Sequence, residues 1–160
     1  GDIIGYDKML PDFYKNGLRN VIIGIGDIQS RNKNREKLFK KIKSFNLNMP
    51  NLIDEKAIID DSVSLGEGNQ IMAGAIIGPN CKIGNNNIIN AGAILSHDCK
   101  IYDNVHIAPG AIIAADVEIE NNCLIGMGST IYRGLTIGSN ALIANGKNIF
   151  NDIKKKEVIS

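Results

Sequence analysis

Two histidines supply all the imidazole in the chain, His97 and His106, nine residues apart. His97 lies in Ser96-His97-Asp98, where the next side chain is a carboxylate. A carboxylate that holds one ring nitrogen leaves the other free to take a proton, the arrangement of a general base. The plainer reading is a surface histidine beside an acid. His106 has no adjacent acid. With two histidines and no CxxC or HxxxH spacing, no metal site is suggested. Nucleophilic catalysis is thinly supported, because Ser96 lacks an oriented base and Cys99 falls at an interior position.

The elements that position these residues are written in a period of six. From Ile53 to Ile149 every sixth residue is Ile or Leu, seventeen positions without a break. Six matches neither the helical 3.6 nor the strand 2, but it is the hexapeptide spacing of a parallel β-helix. Each unit is a short strand and a turn rich in Gly, Asn and Asp, residues that tolerate left-handed backbone. Three units close a coil, so about 18 residues return the chain to one face, about 4.8 Å further along the axis. Sixteen units predict a little over five coils, of the kind that resembles the left-handed β-helix. Zinc sites in hexapeptide proteins similar to carbonic anhydrases use three histidines, one more than this chain has.

Composition excludes several classes. A net charge of +1 and a pI near 7.9 give no electrostatic footprint for nucleic acid or a membrane surface. No apolar stretch approaches the roughly 20 residues of a membrane helix, and no signal peptide is visible. Cys81, Cys99 and Cys123 each follow a period Ile or Leu by four residues, the slot that Ala57, Val63, Ala75, Ala93 and Ala111 fill elsewhere. They read as small core residues, and three free thiols point to a reducing cytoplasm.

Outward positions, sorted by face, predict assembly. One face carries Ile58, Ile76, Ile94 and Ile112. A second carries Leu52, Gln70, Ile88, His106, Leu124 and Leu142, and a third Ser64, Lys82, Lys100, Glu118 and Thr136. Only the third is built for water. Two different apolar faces suit a heterologous contact that closes into a homotrimer. His97 ends a strand of the isoleucine face and His106 lies on the other apolar face. Half a coil separates them in one chain, so a shared site requires neighbouring subunits.

Residues 1–49 read as a partial small α/β unit, 50–150 as the left-handed β-helix and 151–160 as a tail. Asn20 to Gly26 reads as a buried strand ending in glycines, and Asp7 to Asn16 as a short helix stopped by Gly17. Asp27 or Ser30 is expected to cap a second helix with the stripe Leu38, Phe39, Ile42 and Phe45. The glycines after the strand are candidates for approaching a phosphate, or simply a packing turn. Pro50 marks the passage into the prism. Lys154-Lys155-Lys156 is either a solvated charged tail or a neighbour of a bound phosphate.

The run from Asn90 to Ile101, containing Ser96-His97-Asp98-Cys99, followed by His106-Ile107-Ala108-Pro109-Gly110-Ala111, resembles the NeuD/PglD-like family of bacterial hexapeptide acyltransferases. The likeness extends through Ile22-Ile23-Gly24-Ile25-Gly26 and the helix after it. It implies an acetyl-CoA-dependent acetyltransferase acting on the amino group of a nucleotide-linked amino sugar for surface glycans. His97 matches the family's base and Asp98 its acid, where many members carry Glu. His106 matches the histidine that contacts the acetyl group, and Asn90 a polar residue near the acceptor amine. Met127 and Asn145 fall where the pantetheine arm of acetyl-CoA is laid along the turns. Gly26 matches a glycine beside the sugar nucleotide. The family's first Gly-rich turn, its acidic pair and its Gly-x-Pro-Ala-Lys tail have no match here, which with Gly1 in place of an initiator Met implies part of a longer chain. Alternatives are O-acetylation of a sialic or related nonulosonic acid, and a non-catalytic trimeric β-helix binding module.

Overall fold

A strand of two residues cannot stand alone, so each hexad is stabilised by its counterparts one coil away. In the computed structural model, which describes residues 5–26 and 33–160, the hexads form parallel two-residue strands from Leu52–Ile53 to Val158–Ile159. They stack into three parallel sheets of seven, six and five strands. Register is 18 residues throughout the regular part: His106 pairs with Ile88 and Leu124, Ile112 with Ile94 and Thr130, Glu118 with Lys100 and Thr136. The three faces are therefore those expected from the period.

The period residues fill the prism. Ile71 to Ile149 form one continuous buried column with Ala75, Ala93, Ala111, Cys81, Cys99 and Cys123. All three cysteines are free and buried. Burial pushes the Cys123 thiol up to about 11, consistent with a packing role. Corners are tied by side chains standing over the coil below. Asn51, Asn69 and Asn87 accept in turn from the N–H groups of Asn69, Asn87 and Val105, at 2.9, 2.9 and 2.7 Å. Gly126 marks a close backbone approach between coils, because a Cβ there would lie 2.4 Å from the carbonyl carbon of Ala144.

Residues 5–26 and 33–50 pack on one face. A 3-10 turn at Asp7–Met9 leads into α1 (Leu10–Lys15), close to the expected helix, and Gly17 takes φ +102° beyond it. Helix α2 spans Asn34–Ser44, with Leu38, Phe39 and Phe45 packed around buried Ile42 as its stripe predicts. The proposed caps Asp27 and Ser30 lie outside the described residues. At the start of α2 stands Lys33, in left-handed backbone with no capping side chain.

Three expectations need revision. The strand from Asn20 to Gly26 is reduced to a bridge between Asn20 and Asn48. Beyond it the backbone carbonyls find side-chain donors instead of a neighbouring strand: Arg35 Nη1 donates to Ile23 O and Ile25 O, each at 3.0 Å, and Gln70 Nε2 also donates to Ile23 O. The second apolar face is not free along its length, because Ile88 is only 4% exposed and Gln70 is buried as well. Residues 151–160 extend the prism. Ile153 bridges Ile137, and Val158–Ile159 pairs with Leu142–Ile143, completing a sixth coil of 16 residues. The step from Ile149 to Ile153 is four residues, so the period slips by two. Asp152 compensates by accepting from the Thr136 N–H at 2.8 Å, where a regular coil would offer a backbone carbonyl.

Candidate active site

His97 occupies the turn between the isoleucine face and the polar face. Asp98 adopts φ 59°, the left-handed position that recurs two residues before the next strand. Its N–H donates to Pro79 O at 2.9 Å, while His97 O accepts from the Asp116 N–H at 3.2 Å, so the turn is pinned to the coils on either side. The His97 Nδ1 and Asp98 Oδ2 atoms are 2.7 Å apart, and both side chains are about half exposed. An ionised carboxylate can only accept, so the proton lies on Nδ1 and the neutral ring keeps its lone pair on Nε2. The His97 hydrogen bond holds the Asp98 carboxyl below the usual carboxylate range, with Asn80 adding to it. The pair has the form of an oriented base.

His106 lies on a different face, as the register requires. It is half-buried, and Asn90 Nδ2 approaches its Nε2 at 3.2 Å. Asn90 Oδ1 accepts from the Ala91 N–H at 2.8 Å, which turns the amide nitrogen toward the imidazole. Nε2 therefore accepts from Asn90 in this arrangement. The two sequence candidates Asn90 and His106 are thus brought together, one coil apart, while His97 and Asp98 form a separate pair at another corner.

Met127 and Asn145 also meet. The Met127 N–H donates to Asn145 Oδ1 at 2.9 Å, so this backbone group is already used within the chain, and the Met127 side chain projects outward. Gly26 stands at the edge of the described N-terminal segment. A Cβ on Gly24 or Gly26 would meet no heavy atom of the described residues within 4 Å, so none of these requires glycine there.

A cleft beside His106 is walled by Lys33, Arg35 and Glu36 on one side and by Asn86, Asn104 and Asn122 on the other. Arg35, unmarked by any sequence pattern, is its keystone. The buried guanidinium reaches Gly68 O at 3.3 Å and Asn86 O at 3.4 Å besides its bonds to residues 23 and 25. These bonds join residues 33 to 51 positions apart, a distance no local signal reveals. Among the described residues no three His, Cys, Asp or Glu side chains converge in a way that would hold a metal ion.

Comparison with known proteins agrees with this architecture. The model of bacterial transferase hexapeptide (six repeats) matches residues 62–97, 81–115 and 116–151. No curated protein sequence matches the chain. Among solved structures, a histidine-to-asparagine variant of perosamine N-acetyltransferase from Caulobacter crescentus, in complex with CoA and GDP-perosamine, gives a TM-score of 0.92 at 30% identity. That match covers 98% of this chain and 72% of the other. The acetyltransferase domain of PglB from Neisseria gonorrhoeae FA1090 gives 0.87 at 25% identity, covering 98% and 74%. WeeI from Acinetobacter baumannii AYE gives 0.81 at 26% identity, covering 89% and 68%. The matches span nearly the whole chain, and the chain belongs to the bacterial transferase hexapeptide family, among its NeuD/PglD-like acyltransferases.

Proposed function

We propose that the chain is an acetyl-CoA-dependent N-acetyltransferase that modifies the amino group of a nucleotide-linked amino sugar. The observation that carries this reading is the His97–Asp98 pair at 2.7 Å, on a chain whose solved relative holds CoA and GDP-perosamine. The acceptor amine attacks the thioester carbonyl and gives its proton to His97 Nε2, while Asp98 accepts from Nδ1–H and steadies the imidazolium that forms. The new C–N bond forms as the C–S bond breaks, and the proton on Nε2 passes to the leaving thiolate. Asn90 sits toward the acceptor amine, and His106 or a backbone N–H meets the developing oxyanion. Alignment of the two substrates supplies much of the acceleration, without a covalent enzyme intermediate.

The site is completed by assembly. In a homotrimer closed through the isoleucine face, His97 of one subunit approaches His106 of the next, with Met127 and Asn145 lining the path of the pantetheine arm. Gly26 lies toward the sugar nucleotide. The cytoplasm is the compartment of the reaction, since it holds acetyl-CoA and keeps three buried thiols reduced.

The test is thiol release from acetyl-CoA against a panel of nucleotide-linked amino sugars and, separately, nonulosonic acids bearing only hydroxyl acceptors. Turnover of the amino sugars alone is expected. Turnover of the hydroxyl acceptors alone would move the activity to O-acetylation, and absence of acetyl-CoA binding would leave a scaffold.

A further inference from the structure

Three polar residues stack at the corner that carries His97. Lys82 pairs with Lys100 and Lys100 with Glu118, so Asn80, Asp98 and Asp116, each two residues earlier, follow at steps of one coil, about 4.8 Å. Their backbones repeat too, with φ of 59°, 59° and 61°. Asn80 donates its N–H to Ser62 Oγ at 2.8 Å, Asp98 to Pro79 O at 2.9 Å and Asp116 to His97 O at 3.2 Å. The next corner residue, Gly134, adds no side chain, and Arg133 before it supplies one.

Two of the three are acids, and like charges this close repel. The column meets the repulsion unevenly. Arg133 Nε and Nη2 both donate to Asp116 Oδ2, at 2.8 and 2.6 Å, so the upper carboxylate is balanced within the chain. Asp98 receives a neutral hydrogen bond from the Asn80 side chain below and the His97 bond beside it. The remaining charges of the groove are Lys82, Lys100 and Glu118, of which Lys100 and Glu118 are paired at 2.5 Å. Inside the corner the thiols of Cys81 and Cys99 donate to Ser96 O and Ala114 O. The Arg133 charge also favours the ionised form of Asp98.

We propose that Arg133 is a positioning residue for acyl transfer: it neutralises Asp116 and leaves Asp98 as the one unbalanced carboxylate of the column, facing the His97 ring. A bare Asp116 would act twice. It would push Asp98 toward protonation, and a protonated carboxyl no longer fixes the proton on Nδ1. It would also hold the imidazolium that forms in the reaction, slowing return of its proton to the leaving thiolate. In this role Arg133 touches neither substrate nor reacting atoms; it works through Asp116 and Asp98. The inference rests on the acetyl-transfer reading and adds what sets the charge around its base.

The experiment sets Arg133→Gln, Arg133→Lys, Asp116→Asn and the double variant Asp116→Asn with Arg133→Gln beside wild type in pH–rate profiles of acetyl transfer. Arg133→Gln should move the acid limb of kcat/KM upward by roughly half a pH unit, and by less as salt is added. Asp116→Asn, which leaves Arg133 bare, should move it the other way. The double variant and Arg133→Lys should return it to the wild-type position. A limb unmoved in Arg133→Gln would overturn the proposal. So would a double variant displaced as far as Arg133→Gln, which would make Arg133 a brace between coils or a substrate contact. Carbon-13 titration of Asp98 reads the same charges without turnover: its midpoint should rise in Arg133→Gln and return in the double variant. That pattern in a chain that acetylates no acceptor would sink the acetyl-transfer reading and leave the Arg133–Asp116 arrangement standing. An Asp98 midpoint unmoved by Arg133→Gln would sink the arrangement whatever the turnover.

Discussion

The two corners flanking the isoleucine face are built from the same hexads but spend their side chains differently. At one, polar groups are consumed inside the chain: Asn90 is committed to Ala91 and His106, and Asn145 to the N–H of Met127. At the other, His97 turns its free nitrogen outward while Asp98 fixes its far side, and Tyr132 and Phe150 stay exposed. One corner turns its polar groups inward, and the other presents an oriented imidazole to solvent. In the proposed mechanism the two corners are halves of one site. The ladder between them, with Ile58, Ile76 and Ile112 exposed and Ile94 half-buried, separates the halves within a chain and is suited to joining them between chains.

The most damaging test of this division is Ile94→Asp, which places a charge in the middle of the ladder. Monomers by light scattering with turnover below detection are expected, and a fully active monomer would end the two-corner account. His97→Ala should follow, lowering kcat about 10²–10⁴-fold with modest effect on acetyl-CoA binding. Activity within about threefold of wild type would remove His97 from the mechanism. Complementation sharpens the contrast further. Mixed trimers of His97→Ala and His106→Ala chains should recover roughly a quarter of wild-type activity, because one junction type in four joins two intact halves. Recovery of nothing would place both histidines in the same half.

The smallest effect concerns pH. The bond from His97 depresses the Asp98 carboxyl in the folded state, so what the pair contributes is present above the ordinary Asp value of about 3.9. It is lost only as pH falls through the lower folded value. Carbon-13 titration should place the Asp98 midpoint below the ordinary one and return it upward in His97→Ala. An unchanged midpoint in that variant would mean the contact is absent in solution.

What could be read from the sequence follows from how each feature is encoded. The prism was legible because its core repeats: a residue that recurs every six positions reports its own burial, and register follows by counting. The pairing of His97 with Asp98 was legible because the two are adjacent in the chain. The packing of residues 5–26 and 33–49 was not, since Arg35 and Gln70 satisfy the Ile23 carbonyl from positions 12 and 47 residues away. A segment that resembles a strand in composition found side chains where a strand needs a neighbour. The last coil is hidden for a different reason. A two-residue phase slip after Ile149 hides its continuation from any reading at constant period, and Asp152 repairs the lost backbone bond with a carboxylate.

The backbone at Asp98 draws two requirements onto one codon. The turn demands a residue that accepts φ near 59°, which favours Gly, Asn and Asp, while the imidazole beside it demands an anion. Glycine and asparagine meet the conformational demand without the charge; glutamate keeps the charge but carries a longer chain into a crowded region of torsion space. Aspartate answers the torsional and the electrostatic demand with one side chain, and Asp98→Asn set beside Asp98→Glu would tell the two apart.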